Sequence, residues 1–235
     1  MTQVYEKVAL IGLGLIAGSM GLAMKRAGLA GSIVGHAHTA KSRETALELG
    51  LVDAVFETAV EAAADADLVV LCVPVGVMGT VAAQIRPALK AGATVSDVGS
   101  VKAKVIEMVG EHLPDNVHFV PAHPIAGTEN SGPNSGFAEL FDKKWTILTP
   151  SPDTDEGEVA KLREFWEALG ANVDIMEPEH HDMVLAVTSH VPHLIAYTMV
   201  GVADDLERVT DSEVINFSTG GFRDFTRIAA SDPTM

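Results

Sequence analysis

The stretch Val8-Ala9-Leu10-Ile11-Gly12-Leu13-Gly14-Leu15-Ile16-Ala17 decides how this chain folds. A short apolar run reads as a strand, the glycines as a tight turn, and Ile16, Met20, Ala23 and Met24 recur beyond them at helical spacing. Each small residue has a job in that strand–turn–helix unit. Gly12 suits the turn, Gly14 lets backbone approach a pyrophosphate with no Cβ in the way, and Ala17 lets the helix lie close to the strand. The N–H groups of Leu15 and Ile16 then open a helix whose positive dipole end favours phosphate. The expectation is a dinucleotide site; the alternative is a tight turn with no ligand.

The pattern repeats outward. Ser32–His36 reads as a second strand and Ala40–Leu49 as a helix closed by Gly50. Val52–Phe56 suggests a short strand and Ala59–Ala66 a helix. Leu68–Val73 is a continuous apolar run, as expected of a parallel strand buried on both faces, and Pro74 stops it. Helices at Val77–Leu89 and Val101–His112 alternate with strands at Thr94–Asp97 and Val117–Val120. This is the grammar of an α/β, Rossmann-type doubly wound sheet, in which ligands collect at the carboxyl ends of the strands. Further on, Trp145–Leu148 and Asn172–Met176 read as strands around a helix at Glu158–Leu169. From Glu179 to Asp205 one long helix is apolar nearly all round, with Pro192 expected to kink it. The reading is a dinucleotide-binding domain over residues 1–177 and an all-helical domain over 178–235, the latter burying its apolar faces between subunits or within itself.

Composition narrows the classes of function. With 235 residues, 47% of them hydrophobic, the chain can build a large core. A net charge of −16 repels nucleic acid and anionic membrane, so neither is expected as a partner. The one cysteine, Cys72, precludes an internal disulfide and fits a reducing compartment. The start of the chain has no signal-peptide pattern, and the strongest apolar run, Leu68–Met78, is too short to span a membrane. A soluble, cytoplasmic protein is expected.

The candidate cofactor residues are Gly12, Gly14, Leu15, Ile16 and Ala17, together with Ala37, His38, Val73 and Pro74 at the ends of neighbouring strands. An NAD site usually places an acid on the ribose at the end of its second strand. Here that tip is His36-Ala37-His38-Thr39, followed by Lys41 and Arg43, and no carboxylate occurs before Glu44. These groups could receive the 2′-phosphate of NADP, or form a solvated turn that starts a helix. Either NAD or NADP is expected, with NADP at least tolerated.

Several polar residues fall at strand ends. Ser100 lies between a strand and a helix, as an N-cap or as a second hydrogen-bonding group. His123 sits in a proline- and glycine-rich stretch after a strand, where acid–base work explains a histidine better than packing does. Glu129 could orient that histidine or exclude solvent, or be an exposed acid. His180, His181, His190 and His193 invite a metal, but on a straight helix His190 and His193 are separated by roughly 60° while His181 faces the other way. No metal is expected, and His190 and His193 read as substrate contacts. Arg223 and Arg227, four apart, could share a helix face and grip a carboxylate, or form surface salt bridges.

Taken together, Gly12–Ser19, Asp97-Val98-Gly99-Ser100-Val101-Lys102, His123-Pro124-Ile125-Ala126-Gly127-Thr128-Glu129, Ser189-His190-Val191-Pro192-His193 and Gly221–Arg227 resemble the prephenate/arogenate (cyclohexadienyl) dehydrogenase family. The resemblance implies hydride transfer from a ring carbon to a nicotinamide with loss of CO2, a step of tyrosine biosynthesis. It implies His123 as the catalytic base, Ser100 as the group that orients it, and Arg227 as the grip on a substrate carboxylate. It implies His190, His193, Thr128 and Glu129 on the substrate side, and a homodimer built by the helical domain. Members of that family continue with more helix beyond the position of Met235, so the helical domain is expected to be incomplete. Two rivals are a β-hydroxyacid-type dehydrogenase, which needs a helix lysine that Glu179–Asp205 lacks, and a non-catalytic redox-sensing NAD(P) module, which needs no His123.

Overall fold

The computed structural model describes residues 3–128, 130–210 and 217–230. The quoted stretch forms strand β1 (Tyr5–Ile11) and helix α1 (Leu15–Ala27). The chain then alternates through β2 (Ala30–His36), α2 (Ala40–Glu48), β3 (Ala54–Phe56), α3 (Ala59–Ala63), β4 (Leu68–Leu71), α4 (Met78–Ile85), β5 (Thr94–Asp97), α5 (Ala103–Gly110) and β6 (His118–Phe119). The six strands form one parallel sheet in the order β3-β2-β1-β4-β5-β6, whose order reverses at β1 and β4.

Continuous apolar runs give both faces of this sheet a core. Val8, Leu10, Leu68 and Val70 belong to one cluster with Met20 and Met24 of α1. Ala9, Ile11, Val69 and Leu71 belong to the other, with Ala82 and Ile85 of α4 and Val105 and Val109 of α5. Local signals set the helix ends. Thr58 and Glu61 form a reciprocal capping box on α3, and Thr39 caps α2 by accepting from Ser42 N.

The later strands depart from a simple continuation. β7 (Ala122–Pro124), β8 (Trp145–Leu148) and β9 (Asn172–Ile175) form a separate three-stranded sheet, with α6 (Glu156–Ala168) between the last two. β7 runs antiparallel to β8, and β8 parallel to β9. His123 therefore lies on a short strand rather than in a loop, opposite Ile147.

The chain divides into two units, Met1–Gly127 with Ser131–Asp182, and Thr128–Asn130 with Met183–Met235. The sequence places the boundary near Glu177-Pro178; the first unit runs on through Asp182. In the helical segment, α7 (Pro178–Leu185) passes through a π turn at Ala186–His190 into α8 (Val191–Thr210), and α9 (Gly220–Thr226) follows. The irregularity expected at Pro192 thus appears as a π turn just ahead of it, where the missing proline N–H removes a rung of the α ladder. Met183, Val187, Leu194 and Val202 on this path are each more than 60% exposed within the chain. By length and composition alone, the helical path Pro178–Arg208 is long and apolar enough to cross a membrane, which the sequence reading did not expect.

Gly12 carries φ +101°, and a Cβ there would lie 2.4 Å from the carbonyl oxygen of Cys72. Gly28, the C-cap of α1, has φ +67° with nothing within 4 Å of a built Cβ. Gly28→Ala is therefore expected to cost about 1–2 kcal/mol, the ordinary left-handed penalty. Gly12→Ala is expected to cost clearly more, because strain and overlap add; urea denaturation of the two variants checks the ranking.

Candidate active site

The turn after β1 has the shape a dinucleotide needs. A Cβ on Gly14 would project into open space at the head of α1, and no side chain caps that helix. The first-turn N–H groups at Leu15 and Ile16 are thus available to an anion, while Ala17 is fully buried against the sheet. Val73 and Pro74 follow β4 at the same, carboxyl edge of the sheet. These observations fit a bound pyrophosphate.

At the tip of β2 the structure gives most polar groups structural work. His36 Nδ1 donates to Phe56 O at 3.1 Å. Arg43 donates to the carbonyls of Ala37 and His38, at 2.7 and 3.3 Å. Thr39 is the cap of α2. His38 is exposed, and Ala37 is 7% exposed.

The acid–base candidate is held by a buried ion pair. Asp97, the last residue of β5, and Lys102, just before α5, are both fully buried and salt-bridged. Lys102 Nζ also donates to Ala122 O at 2.7 Å, and Ala122 N donates to Asp97 Oδ1 at 3.2 Å. The pair thus secures both backbone groups of the residue before His123. Burial pushes the Lys102 ammonium down from its usual range, and the Asp97 carboxylate opposes that shift.

His123 Nδ1 lies 2.8 Å from His181 Nε2, and His181 Nδ1 lies 2.8 Å from Asp182 Oδ1. Asp182 also accepts from Lys102 N at 2.6 Å and Ala103 N at 3.0 Å, so a carboxylate from α7 caps α5. Burial works to raise its pKa, but these backbone bonds and His181 hold it below the ordinary carboxylate range. For His181, burial lowers the pKa and outweighs Asp182, so the neutral ring is favoured.

This arrangement amends the sequence reading. His181, which the helical-face argument had set aside, is hydrogen-bonded to His123; Ser100 is exposed after β5, and Asp182 caps α5 through Lys102 N and Ala103 N. The signal for His181 and Asp182 was an adjacent His-Asp in a first helical turn, and for Asp97 and Lys102 a charged residue on each side of a strand–helix turn. In the second unit, Thr128 Oγ1 accepts from Asn130 N, and His193 Nδ1 donates to Ser189 O at 2.9 Å beside the π turn that ends with His190. Arg223 lies on α9 but Arg227 begins the 3₁₀ turn after it, so one helix does not carry both. Among the described residues neither forms an ion pair. Glu129 lies outside the described residues.

Comparison with known proteins follows this geometry. Residues 20–175 match the model of the prephenate dehydrogenase nucleotide-binding domain, and residues 177–235 that of the prephenate dehydrogenase dimerization domain. The chain is 44% identical to a cyclohexadienyl dehydrogenase of Zymomonas mobilis, over 99% of this chain and 79% of that protein. It is 34% identical to a Bacillus subtilis prephenate dehydrogenase, of which it spans 63%. Its structure superposes with a TM-score of 0.90 on an A. aeolicus prephenate dehydrogenase in complex with hydroxyphenyl propionate and NAD+, at 34% identity, covering 97% of this chain and 79% of that one.

The depressed pKa of Asp182 fixes a sign. Its bonds stabilise the fold fully above the unfolded carboxylate pKa of roughly 3.9, and that contribution is lost as pH falls through the lower folded value. The stability gap between wild type and Asp182→Asn is expected to be constant near neutrality and to shrink as pH drops below about 4. Urea denaturation across that range measures it.

Proposed function

This chain belongs to the prephenate dehydrogenase family of NAD-linked oxidoreductases, and on that premise we propose that it oxidatively decarboxylates prephenate, arogenate or both, yielding 4-hydroxyphenylpyruvate or tyrosine. The observation that carries the reading is His123: its backbone is anchored through Ala122, and its Nδ1 is hydrogen-bonded to His181. A base so placed suits a reaction in which the substrate's hydroxyl must lose its proton as the ring carbon loses hydride.

Bound at the head of α1, NAD supplies the hydride acceptor. The residues of the chain do the rest. His123 takes the hydroxyl proton, the C–O bond becomes a carbonyl, and the ring carboxylate leaves as CO2 while its bonding electrons complete the aromatic ring. The developing ketone is the electron sink. Ser100, exposed at the carboxyl end of β5, supplies a hydroxyl to substrate or cofactor. Arg227 supplies an exposed cation for a carboxylate of a substrate dianion entering a chain of net charge −16. Thr128, Glu129, His190 and His193 complete the substrate side. NADP is tolerated as well as NAD, because no carboxylate stands at Ala37 to repel a 2′-phosphate.

We infer further that residues 178–235 pair two copies of the chain. An apolar groove of about 580 Å³ lies between α8 and Phe222 of α9, continuous with the exposed Leu194 and Val202. The match of this segment to a dimerization domain favours a second copy over lipid as its cover. Sedimentation equilibrium of the protein is expected to give a dimer without detergent; a stable monomer would remove this reading.

The catalytic assignment is tested by His123→Asn. The expected result is a kcat reduced by at least ~100-fold, within the range for loss of a general base, with NAD affinity nearly unchanged. Arg227→Ala is expected to act chiefly through KM, because its contact forms in the ground state as well as the transition state. A His123→Asn enzyme with near-normal kcat would refute the assignment.

A further inference from the structure

The helix whose head faces the cofactor is gripped by a segment from far along the chain. Gly18 of α1 and Gly136 meet backbone to backbone: a Cβ on Gly136 would lie 3.0 Å from Gly18 C, 3.1 Å from Ser19 N and 3.2 Å from Gly18 Cα. Neither glycine has a positive φ, so the missing Cβ serves the contact and not the conformation. Beside this contact Phe137 N donates to Ser19 Oγ at 3.1 Å, and Ser19 is fully buried. About two turns on, Arg26 pairs with Glu139 and Asp142 at 3.2 and 2.9 Å. Leu140 and Phe141 lie in the core cluster that also holds Ala17, Met20 and Met24 of α1, so the segment is itself rooted in the core.

The Leu15 and Ile16 N–H groups that face a pyrophosphate open the turn that leads to Gly18. We propose that Gly136 and Ser19 are positioning residues for the cofactor: with Gly18 they seat α1 against the segment 136–142 and so hold its head where the pyrophosphate can take those N–H groups. Ser19 is buried, so it acts through the helix and not by touching NAD. A side chain at Gly136 would meet main chain rather than the end of a flexible side chain, and the helix has no room to retreat, because Ala17, Met20, Ala23 and Met24 on it are fully buried. A shift of the helix head by a few tenths of an ångström lengthens and tilts bonds whose strength depends on both length and angle. The segment also follows β7, so the chain that carries His123 is fastened to the helix that holds the cofactor. The proposal rests on the placing of the pyrophosphate at the head of α1 and adds what keeps that head in place.

The test is calorimetric titration with NAD alone, without substrate. Gly136→Ala is expected to bind NAD on the order of 10-fold more weakly, the worth of one hydrogen bond to a charged group, while kcat at saturating NAD stays near that of the wild type. ADP, which carries the pyrophosphate, should lose as much; adenosine, which lacks it, should lose nothing. Ser19→Ala should act in the same direction and less strongly, because Phe137 is 38% exposed and its N–H can turn to water. Gly28→Ala, at the far end of the same helix, lowers stability by another route and should bind NAD as the wild type does. Gly14→Val, whose side chain enters the open space at the helix head, should abolish NAD binding. Wild-type NAD affinity in Gly136→Ala and Ser19→Ala, an equal loss in Gly28→Ala, or an equal loss for adenosine would overturn the proposal. Wild-type affinity in Gly14→Val would overturn it as well, by removing the pyrophosphate from that helix head. Should Gly136→Ala fail to fold, Ser19→Ala with ADP and adenosine decides alone. The titrations involve no substrate, so failure here and failure of His123→Asn are separate results.

Discussion

The buried pair of Asp97 and Lys102 is the constraint on which the site depends. Two fully buried charges are tolerated only if each is paired and further hydrogen-bonded, and here Gly99 N and both main-chain groups of Ala122 add those bonds. The consequence reaches beyond the pair. Asp97 ends a strand of the large sheet and Ala122 begins the small one, so the pair welds the two sheets at the point where His123 emerges. Removing either partner would leave an uncompensated charge in the core, so the geometry of the histidine is tied to the stability of the domain.

Much of this architecture is legible in the residues. Val8–Ile11 and Leu68–Leu71 are apolar at every position, which specifies strands buried on both faces, and Gly12 and Gly14 mark the turn between strand and helix. His123 is legible because a histidine among prolines and glycines has no packing reason to be there. What was not legible depends on distance along the chain. Asp182 caps a helix 79 residues before it, measured to Ala103, and no local pattern announces such a bond. The spacing argument that set His181 aside compared it with His190 on one ideal helix, whereas its partner is on a different strand. The separate sheet of β7, β8 and β9 was hidden for the same reason: periodicity finds strands but not their neighbours.

The helical segment shows a different limit. A helix apolar on most faces was expected to be covered, yet in the single chain Met183, Val187 and Leu194 face outward. Hydrophobic periodicity reports the surroundings for which a sequence is built, and those extend past one copy of the chain. The π turn adds to this by shifting the phase of side chains between α7 and α8, so that one regular wheel drawn through both halves misplaces the faces of the second.

The central place of β1 also governs how the chain can assemble. Its pairing with β2 is near in sequence, but its other edge waits for β4, with Val8 against Leu68. During synthesis on the ribosome a strand that is apolar on both faces therefore stands with one unpaired edge until a further stretch of chain has emerged. Parallel pairing of this kind closes long loops before contacts repay them, which slows folding and exposes strand edges to wrong partners. β1 is thus completed only when β4 arrives, and until then β2 on one edge and α1 on one face are the neighbours that cover it.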